Sequence, residues 1–447
     1  MVGGLGLIIK GLAYVNQGLV RATIFIDEYS GRIKDVKVGY SVSTYGEEVL
    51  DFSSGKYLIL PGFIDVHTHL RDLNYSYKED YLTGTSAAAA GGVVVVCDMP
   101  NTDPPTNTLS NLMLKLEVAK SKALVDYCIY YGLPKEVSGL NEVIKYVVGF
   151  KLYPNDLFVN TDLGVLKEVI KVSASNDLLI VIHAEHPKYF LSNAPPGMER
   201  PKEAELRGIE EALGLINSLA EDVGKLVRVH VTHVSTTEAI SLINELRRKY
   251  SRTIEVTLDI TPHHLLLNRN YYGLSAGLHK VYPTLKDPYD NLGLYRALIN
   301  GYVDAIATDH APHSIEEKLR PYKEALPGYP GLETVVPLLL TLVDKGLLTI
   351  DELIKYYSYG SAKLLGLGNV LGRLSRGYYA SLVVIDLGSE LIIDPSKFFS
   401  KGKYSPFKGW LVKGRPYLTM VRGKVVYEYG EVLTNLRGWG CNVRGFK

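Results

Sequence analysis

The chain is short of several things at once. Its 447 residues include three cysteines (Cys97, Cys128 and Cys441), two tryptophans and a single glutamine, Gln17. The cysteines are far apart, odd in number and form no CxxC pair. That excludes a disulfide framework, points to a reducing compartment and leaves them as packing residues. Charge of one sign is also missing. Lys+Arg of 49 against Asp+Glu of 48 gives a formal net charge of +1. No basic stripe interleaved with aromatics runs along the chain, so neither nucleic acid nor an anionic membrane is expected as a partner. The longest apolar run, AAAAGGVVVVC (87–97), is too short and glycine-rich to span a bilayer. The N-terminal MVGGLGLIIKGLAYV has no basic leader region or small-residue cleavage site and is interrupted by Lys10, so it reads as a strand rather than a signal peptide. A soluble, cytoplasmic protein acting on a small neutral or anionic molecule is expected. The lone glutamine beside 32 tyrosines fits a chain that avoids labile amides, although asparagine is not depleted.

What is present is a change of texture along the chain. Residues 1–56 hold short alternating runs such as LIIKGLAYV and RATIFIDE, separated by glycine-bearing turns, which predict antiparallel strands. The stretch 366–447 returns to that texture in SLVVIDL and WLVKGRPYLTMVRGKVVYE, so both chain ends are expected to build one small β-sandwich. Between them, over 57–365, eight apolar runs alternate with charge-bearing helical segments: YLILPGFIDV, VVVVCDM, ALVDYCIYY, YVVGFKLY, LLIVIHA, LVRVHVTHV, TIEVTLDI and YVDAIATD. Eight strand-then-helix units predict an α/β fold, a (β/α)₈ TIM-type barrel. SYKE (76–79), STTE (235–238) and SIEE (314–317) have the capping-box pattern after the first, sixth and eighth strands.

The ends of these runs hold the chemistry. His67 and His69 are two residues apart at the end of the first, so their side chains leave the same face of the pleat. A lone histidine at a strand end is usually just hydrogen-bonded. Here the pattern recurs: Lys151 follows the fourth run, His183 the fifth, His233 the sixth and Asp309 the eighth. In a barrel all of them meet on one rim, and imidazoles crowded with a carboxylate favour zinc or a similar divalent ion. His230, an odd number of residues from His233, should face the other side of its strand. His186, His263, His264, His279 and His310 read as loop residues that at most support the site. Lys151 admits two readings. It either extends its amine to the rim or, neutral when desolvated, takes up carbon dioxide to become a carbamate bridging two metals.

DVHTHLR, CDMPNT, GFKLYPN, VIHAEH, VTHVST, TPHHL, ATDHAPHSIEEK and PGYPGLETVVPLLLT occur in this order. Together they resemble the dihydroorotase family of the amidohydrolase superfamily, of the type that uses a carboxylated lysine. The resemblance implies two Zn²⁺ per subunit, one held by His67, His69 and Asp309 and the other by His183 and His233, with carboxylated Lys151 and a hydroxide bridging them. It places Arg71, Asn101 and His313 on the substrate's α-carboxylate and Pro327 and Gly328 near its ring. Asp309 becomes the proton shuttle in the reversible cyclisation of N-carbamoyl-L-aspartate to L-dihydroorotate, a step of pyrimidine biosynthesis. A homodimer and association with aspartate transcarbamoylase are further implications. A planar guanidinium paired with a carboxylate is physically apt.

The sequence departs from the family's pattern at Asp72, Leu73 and Asn74, where a proline and a glycine are usual. It departs again at Tyr282, where relatives carry asparagine or arginine that helps bind substrate, and at Leu157, where the animal-type lid has threonine. Two other readings stand beside the first. One is a hydantoinase, dihydropyrimidinase or allantoinase, against which Arg71 and Asn101 argue. The other is a non-catalytic homologue that scaffolds aspartate transcarbamoylase, against which the complete ligand set argues.

Overall fold

A computed structural model describes residues 6–40, 47–273 and 276–446, so the first five residues of the N-terminal run lie outside the described residues. The chain opens with β1 (Leu7–Val15), β2 (Gly18–Asp27), β3 (Arg32–Val38), β4 (Glu48–Phe52) and β5 (Tyr57–Pro61). Gln17 sits with Asn16 in the two-residue turn between β1 and β2, at φ of 63° and 52°. Two left-handed residues match the twist of a tight hairpin.

The barrel strands are β6 (Phe63–Thr68), β7 (Val93–Asp98), β8 (Asp126–Gly132), β9 (Gly149–Leu152), β10 (Leu179–Ile182), β11 (Val227–Val231), β12 (Ile254–Ile260) and β13 (Ala305–Ile306). They pair in sequence order, all parallel. Helices cover them from outside, which is why runs such as VVVVCD are buried throughout. The helix Lys202–Ala220 shows the matching period, burying Ala204, Gly208, Ala212 and Ile216. A Cβ on Gly208 would come 2.4 Å from the Ala184 carbonyl, so only glycine lets this helix sit against the turn that follows His183.

The chain ends with β14 (Leu382–Ile392), β15 (Leu411–Val421), β16 (Lys424–Glu428) and β17 (Glu431–Val432). β14 pairs antiparallel with β5, joining both chain ends in one nine-stranded sheet. The fold is therefore an eight-stranded parallel barrel with a separate, largely antiparallel sheet.

Four local expectations need correction. YLILPGFIDV is not one strand: it divides at Gly62, and Tyr57–Pro61 belongs to the nine-stranded sheet. SYKE caps nothing, because the next helix starts at Tyr81 under an Asp80–Thr83 capping box, and Lys78 and Glu79 are buried instead. In STTE the cap is Thr236 rather than Ser235, whose hydroxyl donates to Glu205, whereas SIEE forms its box on Ser314 as expected. Finally, Cys97 and Cys128 are not separate packing residues. The register of β7 and β8 sets them opposite each other, Cα–Cα 4.5 Å, and they form a disulfide. Cysteine usage therefore no longer points to a reducing compartment. No helix among the described residues is long and apolar enough to cross a membrane.

One contact ties the C-terminal segment to the barrel rim. The Glu333 carboxyl accepts the Phe399 and Ser400 N–H groups, both at 3.0 Å, and Ser400 donates to Glu79. This brings Tyr404 to where its hydroxyl accepts the His313 N–H at 2.9 Å. Burial pushes Glu333 up to about 8, against its two N–H partners and with help from Glu79. Between the ordinary value of 4.5 and about 8 the folded protein keeps a proton that the unfolded chain has released, so stability from this group declines as pH rises. Glu333→Gln removes that titration. Its melting temperature should gain on the wild type between pH 5 and pH 8 and stop gaining above that; a constant difference in thermal melts across the range would contradict the assignment.

Candidate metal centre and substrate cavity

Parallel strands bring their C-terminal ends to one rim, and the polar residues there surround a cavity of about 240 Å³. His67, His69 and Asp309 each offer a ligand atom within 4.8 Å of one another, so they could hold a metal ion. The Asp309 carboxylate lies 3.4 Å from His67 Nε2 and 3.2 Å from His69 Nε2. The His233 ring is centred 5.3 Å from His67 and 4.5 Å from His183. Lys151, with no exposed surface, lines the same cavity, and neither its Nζ nor His233 Nδ1 has a hydrogen-bond partner among the described residues.

Three of the four histidines are turned by a group behind the ring. His67 Nδ1 contacts the Thr232 hydroxyl, which donates to Asp259 at 2.9 Å. His69 Nδ1 is 2.6 Å from the Asn101 side-chain oxygen, and His183 Nε2 is 2.8 Å from Glu185. These contacts fix one nitrogen of each ring and leave the other, Nε2 of His67 and His69 and Nδ1 of His183, as a ligand atom. Burial pulls the pKa of all four histidines down, most for His67 and His233, where Lys151 and neighbouring imidazoles add to it. Neutral imidazole is the form that binds a metal. Burial also pulls Lys151 down to about 7, against the pull of Asp309 and Asp259, which makes its amine available as a neutral nucleophile near neutrality.

Three non-glycine residues that line the cavity have positive φ: Arg71 at 57°, His233 at 43° and Asp309 at 49°. Non-glycine residues there cost on the order of 1 kcal/mol each and persist only where their surroundings hold them. For His233 the holder is Asp259, which accepts its N–H at 2.7 Å.

Arg71 is buried beside the histidines, with Nη2 3.3 Å from His313 Nε2 and Nε 3.3 Å from the Pro312 carbonyl. His313 Nε2 lies 3.0 Å from the Pro327 carbonyl and its Nδ1 3.3 Å from Lys78 Nζ. Burial, with Arg71 and Lys78 adding repulsion, pushes His313 down to about 2, so it is neutral, and with the Lys78 ammonium on Nδ1 its single N–H sits at Nε2 against the Pro327 carbonyl. Pro327 and Gly328 line the cavity. Asn101, expected on a substrate carboxylate, spends its carbonyl oxygen on His69 and keeps its NH₂ for a ligand. At the departures, Asp72 accepts the Tyr81 N–H and pairs with Lys122, Leu157 is buried, and Tyr282 lines the cavity under the Arg200 guanidinium.

The remaining histidines take other places. His230 lies 2.8 Å from Asp259 and 2.9 Å from Thr257, and His264 bonds Thr261 and the Pro283 carbonyl. His263 and His264 stand in the helix Pro262–Leu266 rather than in a loop, His310 packs beside Glu79, and His186 stacks on Phe158. Sequence reading passed over the acids that hold the metal-capable residues, Asp65, Asp259 and Glu185, and also Arg200. The signal for the acids was there. FIDV, TLDI and HAE each place a carboxylate inside or at the end of an apolar run, where burial demands a partner.

The Amidohydrolase family model matches residues 58–426. A dihydroorotase of Staphylococcus epidermidis is 35% identical over 439 residues, covering 94% of this chain and 99% of its own. One of Methanothermobacter thermautotrophicus is 34% identical over 382 residues, covering 84% and 86%. Among solved structures, the L-hydantoinase of Arthrobacter aurescens superposes with a TM-score of 0.84 at 29% identity, covering 98% of this chain and 99% of that one.

Asp259 touches His233, Thr232 and His230 at once. Asp259→Asn should therefore weaken retention of a bound divalent ion about 10–100-fold in competition with a chelator. Unchanged retention would mean the carboxylate only packs.

Proposed function

The chain belongs to the amidohydrolase family, in its dihydroorotase branch, and on that footing we propose that it interconverts L-dihydroorotate and N-carbamoyl-L-aspartate in pyrimidine biosynthesis. The observation behind the choice of substrate is the buried Arg71 with His313 at its side, on the wall of the cavity that holds the metal-capable residues. A guanidinium there matches a ring carboxylate with two parallel charge-assisted hydrogen bonds, which a ring without one does not offer.

The donor set fits two divalent ions, zinc by its chemistry of imidazole and carboxylate. His67, His69 and Asp309 would hold one, His183 and His233 the other, and Lys151 as a carbamate would bridge them. The orphaned Lys151 Nζ and His233 Nδ1, buried without partners, support this assignment. When bound, such ions lower the pKa of a shared water from about 15.7 toward about 7 and polarise the carbonyl under attack.

The protein's own groups do the rest. Arg71, with His313 beside it, and the Asn101 NH₂ orient the α-carboxylate, which sets the ring amide carbonyl against the metal-capable residues. Asp309 accepts the proton of the attacking water and returns it to the ring nitrogen as the C–N bond breaks, one carboxylate acting first as base and then as acid. In the biosynthetic direction the ureido nitrogen attacks the side-chain carboxylate and water leaves. The homodimer and the association with aspartate transcarbamoylase rest on the family resemblance alone.

Likeness to an L-hydantoinase keeps hydantoin in the comparison. Purified protein assayed on L-dihydroorotate, hydantoin and allantoin should turn over the first far fastest, and lose it on chelation. Arg71→Ala should cut kcat/KM for dihydroorotate about 100–1000-fold, the equivalent of one or two hydrogen bonds to a charged group at about 1.5–3 kcal/mol each, with metal content unchanged. Equal turnover in that variant would remove the basis for this substrate. Lys151→Ala should lose both metal and activity and regain part of each with short carboxylic acids; full metal occupancy without them would contradict the bridge.

A further inference from the structure

Two arginines line the cavity, and only Arg71 has a role so far. Arg200 is the other. Its guanidinium carbon lies 3.5 Å from the centre of the Tyr282 ring and 4.3 Å from that of Phe190. Its Nη1 donates to Glu185 at 2.6 Å, and its backbone carbonyl accepts from Lys286 at 2.7 Å and Thr284 at 3.2 Å. It is also shared with a second, outer cavity bounded by Phe190, Pro195, Met198 and Arg269, so it forms the wall between that vestibule and the inner chamber. Rings on both sides and a buried acid at one corner leave this group little rotamer freedom to lose, and the rest of its N–H edge is what it can offer the chamber.

Dihydroorotate presents three acceptors: its carboxylate, the amide carbonyl under attack, and the ureido carbonyl on the other side of the ring nitrogen. The first two have partners in the reading above, on which this inference rests. We propose that Arg200 is a substrate-contacting residue that donates to the ureido carbonyl oxygen. As water adds to the amide carbonyl and the C–N bond breaks, the bonding pair passes to the nitrogen and by conjugation onto that oxygen, until Asp309 delivers the proton to nitrogen. A guanidinium at the oxygen holds charge that is small in the ground state and large in the transition state, so its effect falls on kcat. Tyr282 then serves as the platform under the cation.

The test compares wild type with Arg200→Gln and Arg200→Lys on L-dihydroorotate and on its 2-thio analogue, with metal content measured for each. Losing one such donor costs about 100-fold in kcat. We expect that loss in Arg200→Gln with metal retained, an intermediate value in Arg200→Lys, and a much smaller gap on the thio analogue, whose sulfur accepts hydrogen bonds poorly. An active wild type matched by Arg200→Gln would overturn this inference alone. So would a loss of activity that tracks a loss of metal, which would make Arg200 a positioning residue acting on His183 through Glu185. An inactive wild type would overturn the functional reading and this inference together.

Discussion

The carboxylate of Asp65, with no surface exposed, is the interaction on which the rest depends. It accepts the His67 N–H at 3.1 Å from its own strand, the Thr308 N–H at 3.2 Å from the far end of the barrel, and the Tyr357 hydroxyl at 2.8 Å from the helical layer. β13 is only two residues long and cannot close the barrel by a ladder of its own. The Thr68–His310 bridge and the His69 N–H to His310 carbonyl bond of 2.7 Å complete the seam. First and last strands thus meet where His67, His69 and Asp309 must converge, and closure and site geometry are one problem solved by one acid.

The same device repeats around the rim. Asp259 holds His233 by its backbone and His67 through Thr232, Glu185 holds His183, and Asp98 accepts the Leu70 N–H while paired with Lys115. Buried carboxylates are costly unless several donors share them, and here the donors belong to the metal-capable residues or to the backbone beside them. The cost of burial is therefore converted into orientation. Imidazoles kept neutral, a lysine drawn down to about 7 and three strained backbones are the features of a site arranged before any ligand arrives.

The surroundings of Arg71 draw on parts of the chain far from the metal-capable residues. His313 depends on Tyr404, Tyr404 on a segment clamped by Glu333 and Glu79, and that segment lies between β14 and β15 of the other sheet. The nine-stranded sheet is thus more than an appendage, since its connections reach His313, the neighbour of Arg71 on the cavity wall. Arg200 and Tyr282, which also line the cavity, come from two other loops of the barrel.

The sequence by itself determined the alternation of apolar runs and helices, hence the barrel, and the histidines, lysine and aspartate at the run ends. A period of two along a strand and a single rim for parallel strands leave such residues only one place to meet. The return of alternating texture after 366 likewise showed that both chain ends share a sheet. Three things only the tertiary structure decided. Register, which no local pattern encodes, set Cys97 against Cys128 and made a disulfide of two residues read as packing. Competition for donors, a matter of what lies nearby in space, turned SYKE from a helix cap into buried anchors and drew Ser235 to Glu205. Long-range packing brought Arg200 over Tyr282 and Asp65 onto Thr308, contacts between residues 82 and 243 positions apart in the chain. Spacing can say which side of a strand a group leaves, but not which group from another strand it will find there.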